Sequence, residues 1–164
     1  MRILFVCSGN ICRSPMAEAL FVHMARERGV LDRFEVDSVG LHGYHEGEAA
    51  DPRTRRTGAT HGIEVTSIAR EIRPPDIASA DLIVAMDRGH QRELASLSPA
   101  EHRHKIRLMR SYDGPGASPD VDDPYYGGME GFERMYEVLA NCCRNLLDVL
   151  LEQDATSARG AGPA

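Results

Sequence analysis

Long hydrophobic runs are absent from this 164-residue sequence, which also has no tryptophan and only four cysteines. A membrane-spanning helix needs about 20 consecutive apolar residues, so the sequence predicts no membrane span. The first apolar segment is too short for a signal peptide, and none is expected. No repeat and no cysteine–histidine spacing typical of zinc sites is present, and we expect neither a metal nor another cofactor.

Excess positive charge is missing as well. The formal net charge is −6 at pH 7, which argues against a nucleic-acid-binding protein. The small basic cluster at residues 53–56 is interpreted as a solvated helix face. His61 and His90 are interpreted as structural or exposed histidines.

Strand and helix patterns alternate along the chain. Strands are predicted at residues 3–6, 34–36, 82–85 and 106–109. Helices are predicted at residues 15–28, from Asp51-Pro52 onward, at residues 87–97 and at residues 129–151. Such alternation predicts a single α/β domain over residues 1–152, with a four-stranded parallel sheet flanked by helices on both faces. Residues 153–164 are expected to form a disordered tail.

The most informative segment has the pattern C-x-x-x-x-x-R-S and covers residues 7–14. It follows the first predicted strand and precedes the first predicted helix. Ser14 is a good N-cap residue, and Pro15 suits the first helical position. The segment is therefore a loop between the carboxyl end of a strand and a helix N-terminus, where ligands of α/β sheets bind.

The composition of this loop predicts that it binds phosphate. Gly9 and Asn10 tolerate positive φ, so that successive amides can turn inward around an oxyanion. The helix N-terminus adds free N–H groups, and Arg13 adds a planar charged fork for two phosphate oxygens. The predicted phosphate-binding loop consists of Ser8, Gly9, Asn10, Ile11, Cys12, Arg13 and Ser14.

The sulfur of Cys7 is expected at the base of this loop. Cysteines beside an arginine and a helix N-terminus are commonly ionised. We therefore expect a thiolate that attacks phosphorus and forms a phosphocysteine intermediate in phosphate-ester hydrolysis. A chain that needs a free thiolate is expected in the reducing cytoplasm.

Expulsion of the leaving oxygen requires a proton donor from elsewhere in the chain. The strongest candidate is Asp123, in a turn-rich segment just before the last predicted helix. Pro124 keeps the preceding aspartate out of helical conformation and can aim its carboxyl group at a site. Taken alone, this segment is equally typical of a solvated loop.

Together these segments resemble the low-molecular-weight protein tyrosine phosphatases, and the resemblance spans roughly residues 2–151. It implies that Cys7 is the nucleophile and Arg13 the phosphate clamp. Asp123 would protonate the leaving oxygen and later act as base toward water. Ser14 would support the sulfur as it departs from phosphocysteine.

The resemblance also implies a hydrogen-bond network behind the loop. Asn10 would hold the strained turn, and Ser38 would bond to the asparagine. Many relatives carry a histidine where this chain has Ser67. Because a serine hydroxyl is shorter, we expect a smaller or water-bridged network.

Aromatic residues predict the substrate. Tyr125 and Tyr126 follow the candidate acid, and Tyr44 falls where relatives carry tryptophan or tyrosine, although Tyr44 is equally consistent with an ordinary rim residue. An aromatic cleft would favour phosphotyrosine-containing proteins. Inhibition by phosphate-like oxyanions is expected, and Tyr125 or Tyr126 is a candidate site for a tyrosine kinase.

Several alternatives stay open. Protein arginine phosphatases of the same family tend to carry threonine where this chain has Ile11. Arsenate reductases need two further cysteines, whereas Cys142 and Cys143 lie in an apolar helical stripe and are interpreted as core residues. A noncatalytic phosphotyrosine-binding module is a further alternative. Cys12 either forms a reversible disulfide with Cys7 or packs beneath the loop.

Overall fold

Four parallel strands form the central sheet in residues 1–160, the part of the chain that the computed structural model describes. They are β1 (Arg2–Cys7), β2 (Glu35–Gly40), β3 (Leu82–Ala85) and β4 (Ile106–Leu108), in the spatial order β2-β1-β3-β4. Every pair of neighbouring strands is parallel. The predicted four-stranded parallel sheet is confirmed.

Helices cover both faces of this sheet. Within the described residues they are α1 (Arg13–Glu27), α2 (Pro52–Thr60), α3 (Pro74–Ser79), α4 (Arg88–Leu97) and α5 (Met129–Gly160). Alternation along β1 divides the core, because successive side chains of a strand point to opposite faces. Ile3 and Phe5 pack in the cluster that includes α1 and α5, and Leu4 and Val6 pack in the cluster that includes α3 and α4.

The order of the strands determines where a ligand can bind. The chain passes from β1 to β2 on one side and later reaches β3 on the other side of β1. Such a change of direction opens a crevice at the carboxyl ends of the strands. Gly40 ends β2 beside this crevice, and a Cβ atom there would lie 2.9 Å from the carbonyl oxygen of Ser8. The glycine therefore allows the two backbones to approach.

One helix and two strand ends differ from the sequence prediction. Helix α3 is missed because six residues beginning with two prolines show too little periodicity. Strand β2 continues beyond residue 36 since the polar side chains of Asp37 and Ser38 find partners in Arg70 and Asn10. Strand β4 ends at Leu108 because a 3-10 turn begins at the next residue.

The start of α1 also differs from the sequence prediction. The helix begins at Arg13, and Ser14 is not its N-cap. The hydroxyl of Ser14 faces Cys7 and Asn10 instead. Pro15 therefore occupies the third helical position, where the backbone N–H has no intrahelical partner in any case.

Helix α5 is longer than predicted. It continues to Gly160, whereas the sequence predicts its end near residue 151 and a disordered tail from residue 153. Glu152 and Gln153 are good helix formers, and Asp154 pairs with Arg33 near the start of β2. Residues 161–164 of the predicted tail lie outside the described residues.

Between residues 1 and 160 there is no helix that is both long enough and apolar enough to span a membrane.

Candidate active site

The backbone between β1 and α1 turns sharply at Asn10. This residue has a φ of 57°, and among residues 1–160 it is the one non-glycine residue with positive φ. Gly9, which was expected to share this conformation, does not adopt it. Its lack of a side chain instead leaves space for His45, because a Cβ atom at residue 9 would lie 3.0 Å from Cδ2 of the His45 ring.

The side chain of Asn10 holds this turn in place. Its Nδ2 donates hydrogen bonds to Ser14 Oγ and Ser38 Oγ, each with a donor–acceptor distance of 2.9 Å. Its Oδ1 accepts a hydrogen bond from the backbone N–H of Arg70 at 3.1 Å. Left-handed backbone costs a residue other than glycine about 1–2 kcal/mol, and these three bonds offset that cost.

Cys7 ends β1 beneath the loop and is 2% exposed. Its Sγ lies 3.0 Å from Ser14 Oγ. Because Asn10 already donates to that oxygen, the hydroxyl hydrogen of Ser14 is free to point elsewhere. The carbonyl of Val39 lies at 3.4 Å, so the sulfur is the nearer acceptor. Ser14 is therefore placed to donate a hydrogen bond to a thiolate.

Behind this network lies a carboxylate that the sequence analysis missed. Ser38 Oγ donates to Glu18 Oε2 at 2.5 Å, and burial raises the pKa of Glu18. The hydroxyl of Ser67 also faces the Glu18 carboxylate, but within residues 1–160 its Oγ has no partner with hydrogen-bond geometry. Glu18 follows Ser14 by four residues on α1, and this helical spacing is the signal that could have identified it.

Arg13 is held on two sides. Its Nη1 donates to Asp87 Oδ2 at 2.9 Å and to the carbonyl of Val121 at 3.0 Å. Its Nη2 lies 3.4 Å from Asp123 Oδ2. Asp87, also missed by the sequence analysis, follows β3 at the same edge of the sheet as the loop and is the N-cap of α4. Its place directly after a buried strand was the available signal.

Asp123 stands beside the phosphate-binding loop on the segment that precedes α5. Its Oδ1 accepts a hydrogen bond from the backbone N–H of Tyr125 at 3.1 Å, an Asx turn that orients the carboxyl group. Its side chain is 45% exposed. The structure thus brings together the predicted nucleophile, clamp and acid, which come from residues 7, 13 and 123.

A cavity of about 320 Å³ opens above Cys7. Arg13 and Asp123 line it, as do the three tyrosines predicted for the substrate cleft, namely Tyr44, Tyr125 and Tyr126. Ser8, Gly9, Ile11 and Cys12 of the loop also contribute to the lining. His45 lines the cavity too, a position that no motif indicated.

Arg53 corrects the interpretation of the basic cluster as a solvated helix face. It binds Asp51, the N-cap of α2, through two side-chain nitrogens and holds the pKa of that carboxyl group below its usual range. Its Nη1 donates to the carbonyl of Tyr125 at 2.9 Å. Its guanidinium also lies 5.3 Å from the centroid of the Tyr125 ring. The arginine therefore supports one aromatic wall of the cavity.

The remaining cysteines differ from Cys7 in their surroundings. Burial raises the pKa of Cys12 to about 12, so that this side chain is a neutral thiol at pH 7. Cys142 and Cys143 are fully buried in the core, which confirms their interpretation as core residues. Among the residues described, no three histidine, cysteine, aspartate or glutamate side chains are grouped to hold a metal ion.

Known proteins share this sequence and fold. The family profile described as "Low molecular weight phosphotyrosine protein phosphatase" matches residues 2–156. A Streptomyces coelicolor protein named "Low molecular weight protein-tyrosine-phosphatase" is 46% identical over 155 residues, which are 93% of this chain and 94% of that protein.

Two solved structures extend the comparison. A protein tyrosine phosphatase from Entamoeba histolytica, with Hepes in its active site, is 39% identical with a TM-score of 0.91, over 94% of this chain and 99% of that one. The second is the Bacillus subtilis arginine phosphatase YwlE, as a cysteine-to-serine mutant with a phosphorylated active site serine. It is 31% identical with a TM-score of 0.84, over 92% of this chain and 95% of that one. With a family match over nearly its whole length, and with Cys7, Arg13 and Asp123 lining one cavity, the chain belongs to the low molecular weight phosphotyrosine protein phosphatase family.

Proposed function

We propose that this protein hydrolyses phosphotyrosine in protein substrates through a phosphocysteine intermediate on Cys7. The observation that carries this proposal is the convergence of the Cys7 sulfur, the Arg13 guanidinium and the Asp123 carboxyl group on one cavity. The Bacillus subtilis relative with a phosphorylated serine in place of its active-site cysteine supports a covalent intermediate.

In the first step, the phosphate group lies in the loop against Arg13. The Cys7 thiolate attacks phosphorus, the phosphorus–sulfur bond forms, and the bond from phosphorus to the phenolic oxygen breaks. Asp123, in its acid form, transfers its proton to that oxygen, so that neutral tyrosine leaves. Inward-facing amides and the guanidinium stabilise the charge on the equatorial oxygens of the transferring group.

In the second step, water attacks the phosphocysteine. Asp123 is now a carboxylate and takes a proton from the water, while the phosphorus–sulfur bond breaks and inorganic phosphate forms. The departing sulfur regains its negative charge beside the Ser14 hydroxyl, which donates a hydrogen bond to it. The enzyme returns to its starting state without metal or redox chemistry in either step.

Substrate choice follows from the lining of the cavity. Tyr44, Tyr125 and Tyr126 offer aromatic surface beside Asp123, which suits the ring of phosphotyrosine better than the short side chain of phosphoserine. Ile11 adds an apolar branched side chain to the lining. This favours an aryl group over the charged guanidinium of phosphoarginine. Hydrolysis of phosphoarginine is the second candidate function, because the YwlE relative is an arginine phosphatase.

The alternative of arsenate reduction has less support. It requires two further thiols near the nucleophile, and Cys142 and Cys143 are fully buried in α5. Burial raises the pKa of Cys142 to about 12 and holds that of Cys143 well above its usual range, which keeps both sulfurs protonated and unreactive.

Inhibition and location form part of the same proposal. The loop should bind phosphate-like oxyanions competitively, and the Hepes molecule in the Entamoeba histolytica active site, which carries a sulfonate group, supports this. All four cysteines of the chain are free thiols, which is consistent with a reducing cytoplasm.

Regulation is proposed at two places. Cys12 lines the same cavity as Cys7, so a peroxide that oxidises Cys7 to a sulfenic acid would let the Cys12 thiol displace water and form a reversible disulfide, which prevents further oxidation of the nucleophile. Tyr126 is highly exposed and Tyr125 is partly exposed, and both are accessible to a tyrosine kinase.

One set of assays tests the proposed function. Wild type, Asp123→Ala and Cys7→Ser are each offered a phosphotyrosine peptide, a phosphoarginine peptide and arsenate with a thiol reductant. We expect wild type to release phosphate fastest from phosphotyrosine, and mass spectrometry of a quenched reaction to find phosphate on Cys7. Preference for phosphoarginine, or thiol-dependent reduction of arsenate, would assign the corresponding alternative instead.

A further inference from the structure

The side chain of His90 reaches the phosphate-binding loop from the first turn of α4. Its Nε2 lies 2.8 Å from Ser8 Oγ. His90 is 6% exposed, and Ser8 directly follows Cys7 and lines the cavity. This contact therefore joins the N-terminus of a distant helix to the first residue of the loop, and the mechanism above does not use it.

A single carboxylate links this histidine to the phosphate clamp. Asp87 Oδ1 accepts a hydrogen bond from the backbone N–H of His90 at 2.8 Å and lies 3.4 Å from His90 Nδ1. Asp87 Oδ2 accepts from Arg13 Nη1 at 2.9 Å. Because Asp87 is the N-cap of α4, the same helix end fixes both the guanidinium and the imidazole.

The protonation state of His90 defines the contact with Ser8. Burial, reinforced by the positive charge of Arg13, lowers the pKa of His90 to about 4, so the ring is neutral at pH 7. Within residues 1–160 the buried Nδ1 makes no hydrogen bond, but the negative charge of Asp87 at 3.4 Å favours the tautomer with its hydrogen on that nitrogen. His90 Nε2 then accepts a hydrogen bond from the Ser8 hydroxyl.

Ser8 is thereby held from both sides of the loop. Its backbone carbonyl accepts a hydrogen bond from the N–H of His42 at 3.0 Å, just after β2. Its hydroxyl is bound to His90 at the start of α4. Ser8 and Arg13 line the same cavity, and in the proposed mechanism the backbone of this loop surrounds the phosphate, so a shift of Ser8 would move the loop relative to Arg13.

We propose that His90 is a positioning residue that holds the Ser8 end of the loop in the geometry required for phosphoryl transfer. This inference rests on the proposed function. His90 does not line the cavity, so it acts through Ser8 and not through the substrate. Fixed amides around the equatorial oxygens matter most where charge develops. Loss of His90 should therefore reduce kcat more than it raises KM.

Three substitutions of His90 separate hydrogen bonding from packing. His90→Phe keeps an aromatic ring but removes the acceptor. His90→Gln carries an amide group at about the distance of Nε2, whereas the amide of His90→Asn ends near the position of Nδ1. We expect kcat on an aryl phosphate to fall about tenfold in the Phe and Asn variants with KM changed less than about twofold, and to recover largely in the Gln variant.

Equilibrium binding of orthovanadate provides a second measurement, made by calorimetry on the same variants. Vanadate adopts a geometry close to that of the transferring phosphoryl group, so its affinity should fall in parallel with kcat. This measurement does not require turnover. If wild type fails to hydrolyse any phosphate ester, the proposed function is wrong, while the vanadate affinities still decide whether His90 positions the loop.

Ser8→Ala completes the test. It should reduce kcat and vanadate affinity about as much as His90→Phe does, and the double variant should lose no more than either single one. Three results would each overturn the proposal. They are a loss of kcat in the double variant equal to the product of the two single losses, a Gln variant as impaired as the Phe variant, and an unchanged kcat in the Phe variant. Should His90→Phe fail to fold, the Gln and Asn variants with Ser8→Ala give the same decision.

Discussion

The floor and the wall of the active site are built differently. The floor consists of Cys7, Asn10, Ser14 and Ser38, each 2% exposed or less and joined by hydrogen bonds. The wall consists of Tyr44, Asp123, Tyr125 and Tyr126, which stand on loops and are 73%, 45%, 38% and 92% exposed.

This difference separates stability from specificity. Buried polar groups are costly when they lose their partners, so the geometry of the floor is formed by the same interactions that fold the protein. Groups on the wall keep their contact with water and can be replaced without such a cost. Substitutions in the floor should therefore change both rate and stability unless they are nearly isosteric, whereas substitutions in the wall should change the rate alone.

The largest effect is expected for Cys7→Ser. An oxygen nucleophile that is not ionised attacks phosphorus poorly, so turnover should fall at least about 10⁴-fold. Because the substitution is nearly isosteric, inorganic phosphate should still bind and thermal unfolding should change little. Steady-state assays and calorimetry measure both effects, and a variant with a tenth of wild-type turnover would refute the role of the sulfur.

Asp123→Asn should reduce kcat by about 10²- to 10⁴-fold on phosphotyrosine, because the leaving oxygen loses its proton donor. The loss should be smaller on aryl phosphates whose phenols are strongly acidic. Thermal unfolding should not change, as expected for a wall residue. Asp122→Asn is the matched control, since this neighbouring aspartate is also exposed and does not line the cavity above Cys7. Equal losses in both variants would contradict the assignment.

Asn10→Ala should reduce both activity and stability. It removes three hydrogen bonds and places a Cβ-bearing residue without a compensating amide at a φ of 57°, which we expect to cost about 3 kcal/mol of unfolding free energy. Asn10→Gly loses the same bonds but tolerates the backbone, and should be about 1 kcal/mol more stable than Asn10→Ala. Denaturant unfolding measures both, and equal stabilities would show that the left-handed turn carries no strain.

Stability should also depend on pH through His90, next to the floor. The pKa of this residue is lowered to about 4 in the folded protein by burial and by Arg13, with Asp87, Asp123 and His42 also facing the ring. In the unfolded chain a histidine pKa is about 6.5, so between these values the unfolded state binds more protons. Stability should therefore fall as the pH drops from 6.5 toward 4, by up to about 1.4 kcal/mol per pH unit from this group.

Urea unfolding at pH 7 and pH 5 measures this contribution. His90→Gln should reduce the difference between the two pH values. The control is His104→Gln, because this exposed histidine forms no ion pair within residues 1–160. If both variants behave alike, burial of His90 is not the cause of the pH dependence.

The smallest effect is expected at the aromatic residues of the wall. Tyr125→Ala should lower kcat/KM on an aryl phosphate by about tenfold, which corresponds to about 1.4 kcal/mol of lost aromatic contact. A small alkyl phosphate has no ring to contact and should be affected less. Tyr126→Ala serves as the comparison, since its side chain is almost fully exposed. Equal losses on the two substrates would remove the basis for an aromatic cleft.

Local sequence predicted most of the fold and the centre of the site. The four strands, the loop with Cys7 and Arg13, and the separate segment with Asp123 follow from short motifs, because a strand, a tight turn and a helix start each leave a signal within a few residues. Ser14 shows the limit of such signals. A serine before a proline is a good N-cap, but here Cys7 and Asn10 compete for the hydroxyl, and the helix begins two residues earlier than predicted.

Residues that support the site from distant parts of the chain could not be predicted this way. Glu18, Arg53, Asp87 and His90 act through contacts with partners that only the folded chain brings close. Each is an ordinary polar residue in its local sequence. Arg53 in particular resembles any other exposed helical arginine until α2 packs beside the segment that carries Tyr125.

The crowding of tyrosines around the cavity has an optical consequence. The chain has five tyrosines and no tryptophan, so its ultraviolet fluorescence comes from tyrosine alone. Three of those five, Tyr44, Tyr125 and Tyr126, border the place where a ligand would bind. Occupancy of the cleft should therefore alter the emission of the unlabelled protein directly, and binding could be followed without an attached dye.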